Sequence, residues 1–157
     1  MPVTETKKAK SKPRAKTTTR KRTVVRKVAK PIRQPAPAEI ENNALLDLAH
    51  GIVEAISDKL GEKIVLMDLR QQTPFTDYFV ICSANSERQI KAISDGVREH
   101  TIKNFSAKPR RIEGSTESGW VLMDYSGIIV HIFSPSHRQF YQLEDLWKEA
   151  PVVLKMQ

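Results

Sequence analysis

The chain has 157 residues, with 26 lysines and arginines against 18 acids and a formal net charge of +8. That length suits one domain with a tail better than several domains. A single cysteine, Cys82, excludes an intramolecular disulfide and a cysteine zinc cluster, and no apolar run reaches the ~18 residues of a membrane span.

Charge is unevenly divided: residues 1–38 hold 13 of the 26 basic residues and one acid, Glu5, which leaves residues 39–157 mildly acidic. The first segment also has five of the nine prolines and neither an aromatic residue nor a glycine. It cannot bury enough apolar surface to offset its ordering entropy, so residues 1–38 are read as a disordered basic tail. Three roles stay open for it: tuning solubility, touching RNA phosphates, or serving as an organellar transit peptide, although prolines interrupt any amphipathic helix there. The chain reads as a cytoplasmic protein of bacterial type, with an organellar one as the alternative.

Residues 39–157 read as one domain. Ile40, Ala44, Leu45, Leu48, Ala49, Ile52, Val53, Ile56 and Leu60 recur at helical spacing, and Gly61 sits where a C-terminal cap belongs. Ile64–Leu69 and Tyr78–Cys82 follow as strands, separated by a loop broken at Pro74. Ser86-Glu-Arg-Gln89 is a capping-box pattern that opens a second helix, with Ile90, Ile93, Val97 and Phe105 on its buried face and an end before Pro109.

Arg110–Glu113 reads as a third strand, Gly114–Gly119 as a turn, Trp120–Tyr125 as a fourth strand and Ile128–Phe133 as a fifth. With Ser126-Gly127 as a two-residue turn, Tyr125 faces Ile128, Leu122 faces His131 and Trp120 faces Phe133. Alternation then puts Val121, Met123, Tyr125, Ile128, Val130 and Ile132 on one side, with Trp120, Leu122, Asp124, Ile129, His131 and Phe133 on the other. Ser134-Pro135 starts a last helix with Phe140, Leu143, Leu146 and Trp147 on one stripe, stopped by Pro151.

The order α-β-β-α-β-β-β-α predicts an α/β fold, a single mixed five-stranded sheet with three helices. The second helix must cross between parallel strands, whereas the short turns join antiparallel ones. Three helices need not cover the strand ends, where Trp120, Asp124 and Tyr125 are expected to emerge.

Little in the chain points to a chemical step. Asp124 and His131 are diagonal neighbours on the hairpin, but an acid/base pair needs a third participant and a pocket. No two histidines have metal-ligand spacing, so neither a catalytic nor a metal site is assigned and no cofactor is expected. The rival enzyme reading is nucleotidyl transfer, for which Ser83-Ala-Asn-Ser86 would be the anion site and Asp68, Asp77 and Asp124 the metal carboxylates. It lacks a Gly-Ser phosphate element and has its carboxylates on separate strands. An RNA-binding module is the other rival, but Arg88, Lys91, Arg98, Lys108, Arg110 and Arg111 are scattered or balanced by acids.

TDYFVIC (Thr76–Cys82), the serine-rich start of the second helix, Glu113-Gly114, GWVLMDY (Gly119–Tyr125), VHIF (Val130–Phe133) and RQFYQLEDLW (Arg138–Trp147) occur in order. Together they resemble the Iojap family, the ribosomal silencing factors, over roughly residues 44–148. The resemblance implies a nucleotidyltransferase-like fold without that activity. It also implies binding to a large-subunit ribosomal protein at the subunit interface, the fourteenth in bacterial numbering, with joining of the small subunit obstructed. Trp120 matches the family tryptophan associated with partner contact and Asp124 the family aspartate. Tyr125, Asp77 and Glu113 complete the expected partner-binding set, the acids complementing a basic ribosomal protein. Trp120 keeps a second reading, a core pair with Phe133; Asp124 keeps one as a turn-facing carboxylate that ends the strand, and Tyr125 reads equally as an anchor or as a packed side chain. Uncovered apolar sheet would also serve a homodimer of the free protein.

Overall fold

In the computed structural model, which describes residues 36–157, helix α1 (Pro37–Asp58) opens the fold. The expectations for residues 1–38, disorder, RNA contact and a transit peptide, lie outside the described residues as far as residue 35, and Pro37 and Ala38, assigned to that tail, already belong to α1. Pro37 occupies the first turn of α1, where its missing N–H would have had no helical partner. The inward stripe is Leu48, Ala49, Ile52, Val53, Ala55 and Ile56. Ile40 and Leu60, expected as its ends, are 53% and 78% exposed. Ile40 precedes the turns that meet the core, and Leu60 follows the helix end with a φ of 60°.

Strands β1 (Glu62–Asp68) and β2 (Tyr78–Ser83) pair antiparallel. Helix α2 (Glu87–Phe105) starts as its cap sequence predicts, with Ser86 Oγ accepting from the Gln89 N–H at 3.1 Å. The Gln89 carboxamide oxygen reaches one residue further than a capping box requires and accepts from the Asn85 N–H at 2.8 Å. The helix buries Ile90, Ile93, Val97 and Thr101. Phe105, expected among them, lies at the rim, 36% exposed, with its ring over Gly51 of α1.

Strands β3 (Arg111–Ser115), β4 (Trp120–Asp124) and β5 (Ile128–Phe133) form an antiparallel meander with the expected hairpin register. Gly114 and Ser115 belong to β3 rather than to the turn. Trp120 pairs with Phe133 and Leu122 with His131, and the Tyr125 N–H closes the turn on Ile128 O at 2.8 Å.

The expected single last helix is two short ones, α3 (Pro135–Tyr141) and α4 (Leu143–Leu146), because Gln142 between them takes a left-handed φ of 44°. The break rotates the apolar stripe apart. Leu143 and Trp147 pack on the sheet, while Phe140 and Leu146 are 79% and 70% exposed.

The chain then adds a sixth strand, β6 (Val152–Met156), antiparallel to β1, where five strands were expected. Pro151 ends the helical region and its carbonyl accepts from the Asp68 N–H at 2.9 Å, which seeds that pairing. The sheet order is β3-β4-β5-β2-β1-β6, and β2 with β5 is its parallel pair.

One sheet face, with Leu66, Tyr78, Val80, Met123, Val130 and Ile132, packs under α1 and α2 as the main core. The other carries a smaller cluster of Val65, Met67, Phe79, Ile81 and Phe133 under Leu143, Trp147 and Ala150. Fully burying each such side chain contributes about 1.5–3 kcal/mol. Toward β3 the second face opens: Leu122, Asp124 and Ile129 are half-buried, and Arg111, Glu113 and Ser115 are exposed.

Candidate functional site

Strand alternation decides which expected site residues meet. On β4, Trp120, Leu122 and Asp124 point away from α1 and α2. The register sets Trp120 beside Ser115 and Phe133, Leu122 beside Glu113 and His131, and Asp124 beside Arg111 and Ile129. Trp120, Glu113 and Asp124 therefore share the open face, with Trp120 and Asp124 roughly 13 Å apart along the strand.

Trp120 is half-buried, its indole stacked on Phe133 at 5.3 Å and tilted against Tyr141 at 4.7 Å. With Glu113, Gly114 and Leu122 it lines a shallow recess of about 230 Å³. The recess depends on Gly114, which has φ 81° and whose absent Cβ would stand 2.1 Å from Trp120 O. The two sequence readings of Trp120 thus meet halfway: one face packs on Phe133 while the side chain still borders solvent.

Asp124 Oδ1 accepts from the Ser126 N–H at 2.9 Å, pinning the hairpin turn and leaving the carboxylate half-buried. Asp77 flanks the same turn, its N–H donating to Gly127 O at 2.9 Å. At Gly127 a Cβ would approach Asp77 Oδ2 at 3.2 Å, so the glycine allows the loop and the hairpin to close on each other. Glu113 is exposed and paired with Arg111 at 3.1 Å, a surface pair that contributes little to stability.

Tyr125 does not emerge at the strand end. It is 6% exposed on the helix side, with its hydroxyl 3.1 Å from Thr101 Oγ1, and burial pushes its phenol up. The end of β4 is roofed by α2, so Tyr125 orients the hairpin from below and offers a partner almost no surface.

His131 joins the site from the opposite strand. Its Nδ1 accepts from Trp120 Nε1 at 3.3 Å, and its Nε2 is buried with no partner among the described residues. Burial pushes this imidazole down to about 4. An unpaired buried donor costs about 1–3 kcal/mol. Asp124 and His131 thus turn to different partners and make no acid/base pair. Residues that sequence reasoning placed elsewhere also border the site: Tyr141, 41% exposed, and Phe140 line a second recess of about 310 Å³ with Ser136 and His137. Phe140 was legible as apolar, but its exposure depends on the Gln142 break.

The parts that nucleotidyl transfer would need stand apart. Asp68, Asp77 and Asp124 lie at the end of the sheet where β2 begins, and Ser83–Ser86 at the end where it finishes. Six residues of strand put these ends roughly 17–20 Å apart. Asp68 is held by Arg70, whose guanidinium donates at 2.6 Å and keeps the carboxyl below its ordinary range. A polar recess of about 670 Å³ lies beside Ser83, Asn85, Arg138 and Glu144. Arg138 is already engaged there, donating to Ser83 Oγ at 3.1 Å and to Glu144 at 2.5 Å. Cys82 is fully buried and its thiol is pushed up to about 12 by desolvation, the opposite of an activated nucleophile.

Residues 42–157 match the model of the family described as "Ribosomal silencing factor during starvation". "Ribosomal silencing factor RsfS" of Halalkalibacterium halodurans is 35% identical over 114 residues, 73% of this chain and 94% of that one. "Mitochondrial assembly of ribosomal large subunit protein 1" of Mus musculus is 29% identical over 117 residues, 73% of this chain and 50% of that one. A crystal structure from Bacillus halodurans superposes with a TM-score of 0.60 at 32% identity, covering 69% of this chain and 98% of that one.

Proposed function

The chain belongs to the ribosomal silencing factor family, also called Iojap, and we propose that it silences ribosomes sterically. In this reading it docks on the large ribosomal subunit through the interface-side ribosomal protein that is fourteenth in bacterial numbering. It thereby fills volume that the small subunit needs, which represses translation without a chemical step. The observation that carries the proposal is the open end of the second sheet face. There a half-buried Trp120 and the apolar Leu122 and Ile129 share the face with two carboxylates, Glu113 beside Leu122 and Asp124 beside Ile129.

That arrangement is what a small interface needs. A large aromatic anchor supplies most of the affinity, and Glu113 and Asp124, which flank Arg111 on the same face, supply charge complementarity to a basic partner. Asp77 adds a third carboxylate beside the hairpin tip, and Tyr125 holds the hairpin in place from the core. The basic residues of 1–38 supply nonspecific attraction to ribosomal RNA, and the same open face pairs two copies when the protein is free in the cytoplasm.

Sedimentation of the purified chain with isolated large and small ribosomal subunits tests the reading. Co-migration with large subunits, together with fewer joined ribosomes when small subunits are added, is the expected outcome. Co-migration with small subunits alone, or joining at the control level while the chain is bound, would refute it.

A further inference from the structure

The least expected group near the open face is a histidine among aromatic rings. His131 is 5% exposed, stacked on Phe133 at 5.8 Å and 7°, and met by the edge of Phe79 at 4.8 Å and 73°. Val, Leu or Phe would fill such a strand position without burying a polar atom. The one hydrogen bond the imidazole makes among the described residues is to Trp120 Nε1, at 3.3 Å.

That bond fixes the state of the ring. An indole N–H can only donate, so Nδ1 must be bare, and in the neutral imidazole the proton then sits on Nε2. Nε2 is buried with no acceptor among the described residues. The polarity of the histidine therefore serves the indole and nothing else in view. Clamped between Phe79 and Phe133, the imidazole is an acceptor that cannot swing away, and the indole lies nearly parallel to it at 22°.

From this geometry we infer that His131 is a positioning residue for docking: it locks the rotamer of Trp120 before a partner arrives, lowering the ordering cost of binding. The inference rests on the proposed docking role of the open face. It does not place His131 in contact with the partner, because the imidazole is buried beneath Trp120's neighbours.

The test is a double-mutant cycle on the full chain, read as affinity for isolated large ribosomal subunits. Two indole readouts accompany it. His131→Phe keeps a ring and removes the acceptor, Trp120→Phe keeps a ring and removes the donor, and His131→Asn restores an oxygen near the position of Nδ1. Loss of one hydrogen bond should weaken binding about fivefold in His131→Phe. The substitution should have no further effect on top of Trp120→Phe, and His131→Asn should recover part of the loss. In the free protein the Trp120 indole N–H resonance should move in His131→Phe and return toward its position in His131→Asn.

Parental affinity in His131→Phe, an additive effect with Trp120→Phe, or an unmoved indole resonance would overturn the positioning role. Were His131→Phe to unfold, the indole resonance and affinity of His131→Asn would decide on the same terms. Trp120→Ala separates the two readings. If it loses binding while His131→Phe binds as the parent, only the positioning role falls; if it binds as the parent, the docking face falls as well.

Discussion

The hydroxyls of Tyr125 and Thr101 lie 3.1 Å apart in the core and tie the β4–β5 hairpin to α2. Thr101 Oγ1 also donates to Arg98 O at 3.1 Å, so it is placed to accept from the tyrosine. Tyr125→Phe should remove one buried hydrogen bond and lower folding stability by about 1 kcal/mol. Because the side chain faces the helices, affinity for the large subunit should stay at the parental value. Urea denaturation and co-sedimentation on the same variant check both statements. Parental stability with lost binding would return Tyr125 to the interface.

His131 should make stability depend on pH in a defined window. In the unfolded chain the imidazole takes up a proton near its ordinary 6.5, whereas burial in the fold keeps it neutral down to about 4. Between those values the unfolded state binds more protons, so stability is complete above 6.5 and is lost as the pH falls toward 4. At ~1.4 kcal/mol per unit the whole loss is about 3 kcal/mol. Asp68, lowered by Arg70, adds stability that is lost only below its ordinary 3.8, so the two windows separate. Urea midpoints measured from about pH 7 to pH 4.5 should fall in the parent and flatten in His131→Phe. Equal slopes in both proteins would contradict the assignment.

The hairpin was the most legible part of the fold, because Ser126-Gly127 and strict alternation fix both its register and its faces. The same alternation places Trp120 and Asp124 on one side from the sequence alone. Tyr125 was misplaced for a nonlocal reason: its exposure depends on how far α2 extends, and Thr101 in that helix reaches over the end of β4. β6 was missed because a five-residue strand after a proline is recognisable only through its distant partner, β1. The division of the last helix rests on Gln142 at φ 44°, a conformation that neither glycine nor proline announces. Gly114 was legible as the start of a turn and as half of the Glu113-Gly114 motif, not as a packing position. Its tight approach to Trp120 O emerges once β3 and β4 are paired.

The basic segment should change how binding responds to salt rather than whether binding occurs. Residues 1–38 hold 13 of the 26 basic residues, and the first buried residue of α1 is Leu48. Deleting 1–38 should therefore leave the fold intact and flatten the dependence of subunit affinity on ionic strength. Affinities for the large subunit measured at several salt concentrations give the slope directly. Complete loss of binding at low salt would place the specificity in the deleted segment.

Trp120→Ala tests the anchor itself. A hot-spot tryptophan carries at least ~2 kcal/mol, so affinity for the large subunit should fall roughly thirtyfold. The indole is also stacked on Phe133 and Tyr141, so some folding stability must go with it. Because Trp120 is half-buried, that loss should stay below the ~3–5 kcal/mol of a fully buried tryptophan truncated in a core. Measuring both quantities on one variant separates the roles. Thirtyfold weaker co-sedimentation by a protein that remains folded at the assay temperature supports the docking face. A variant whose stability falls by the full core amount, and whose residual folded fraction binds like the parent, makes Trp120 a core residue and leaves Asp124 and Glu113 without their anchor.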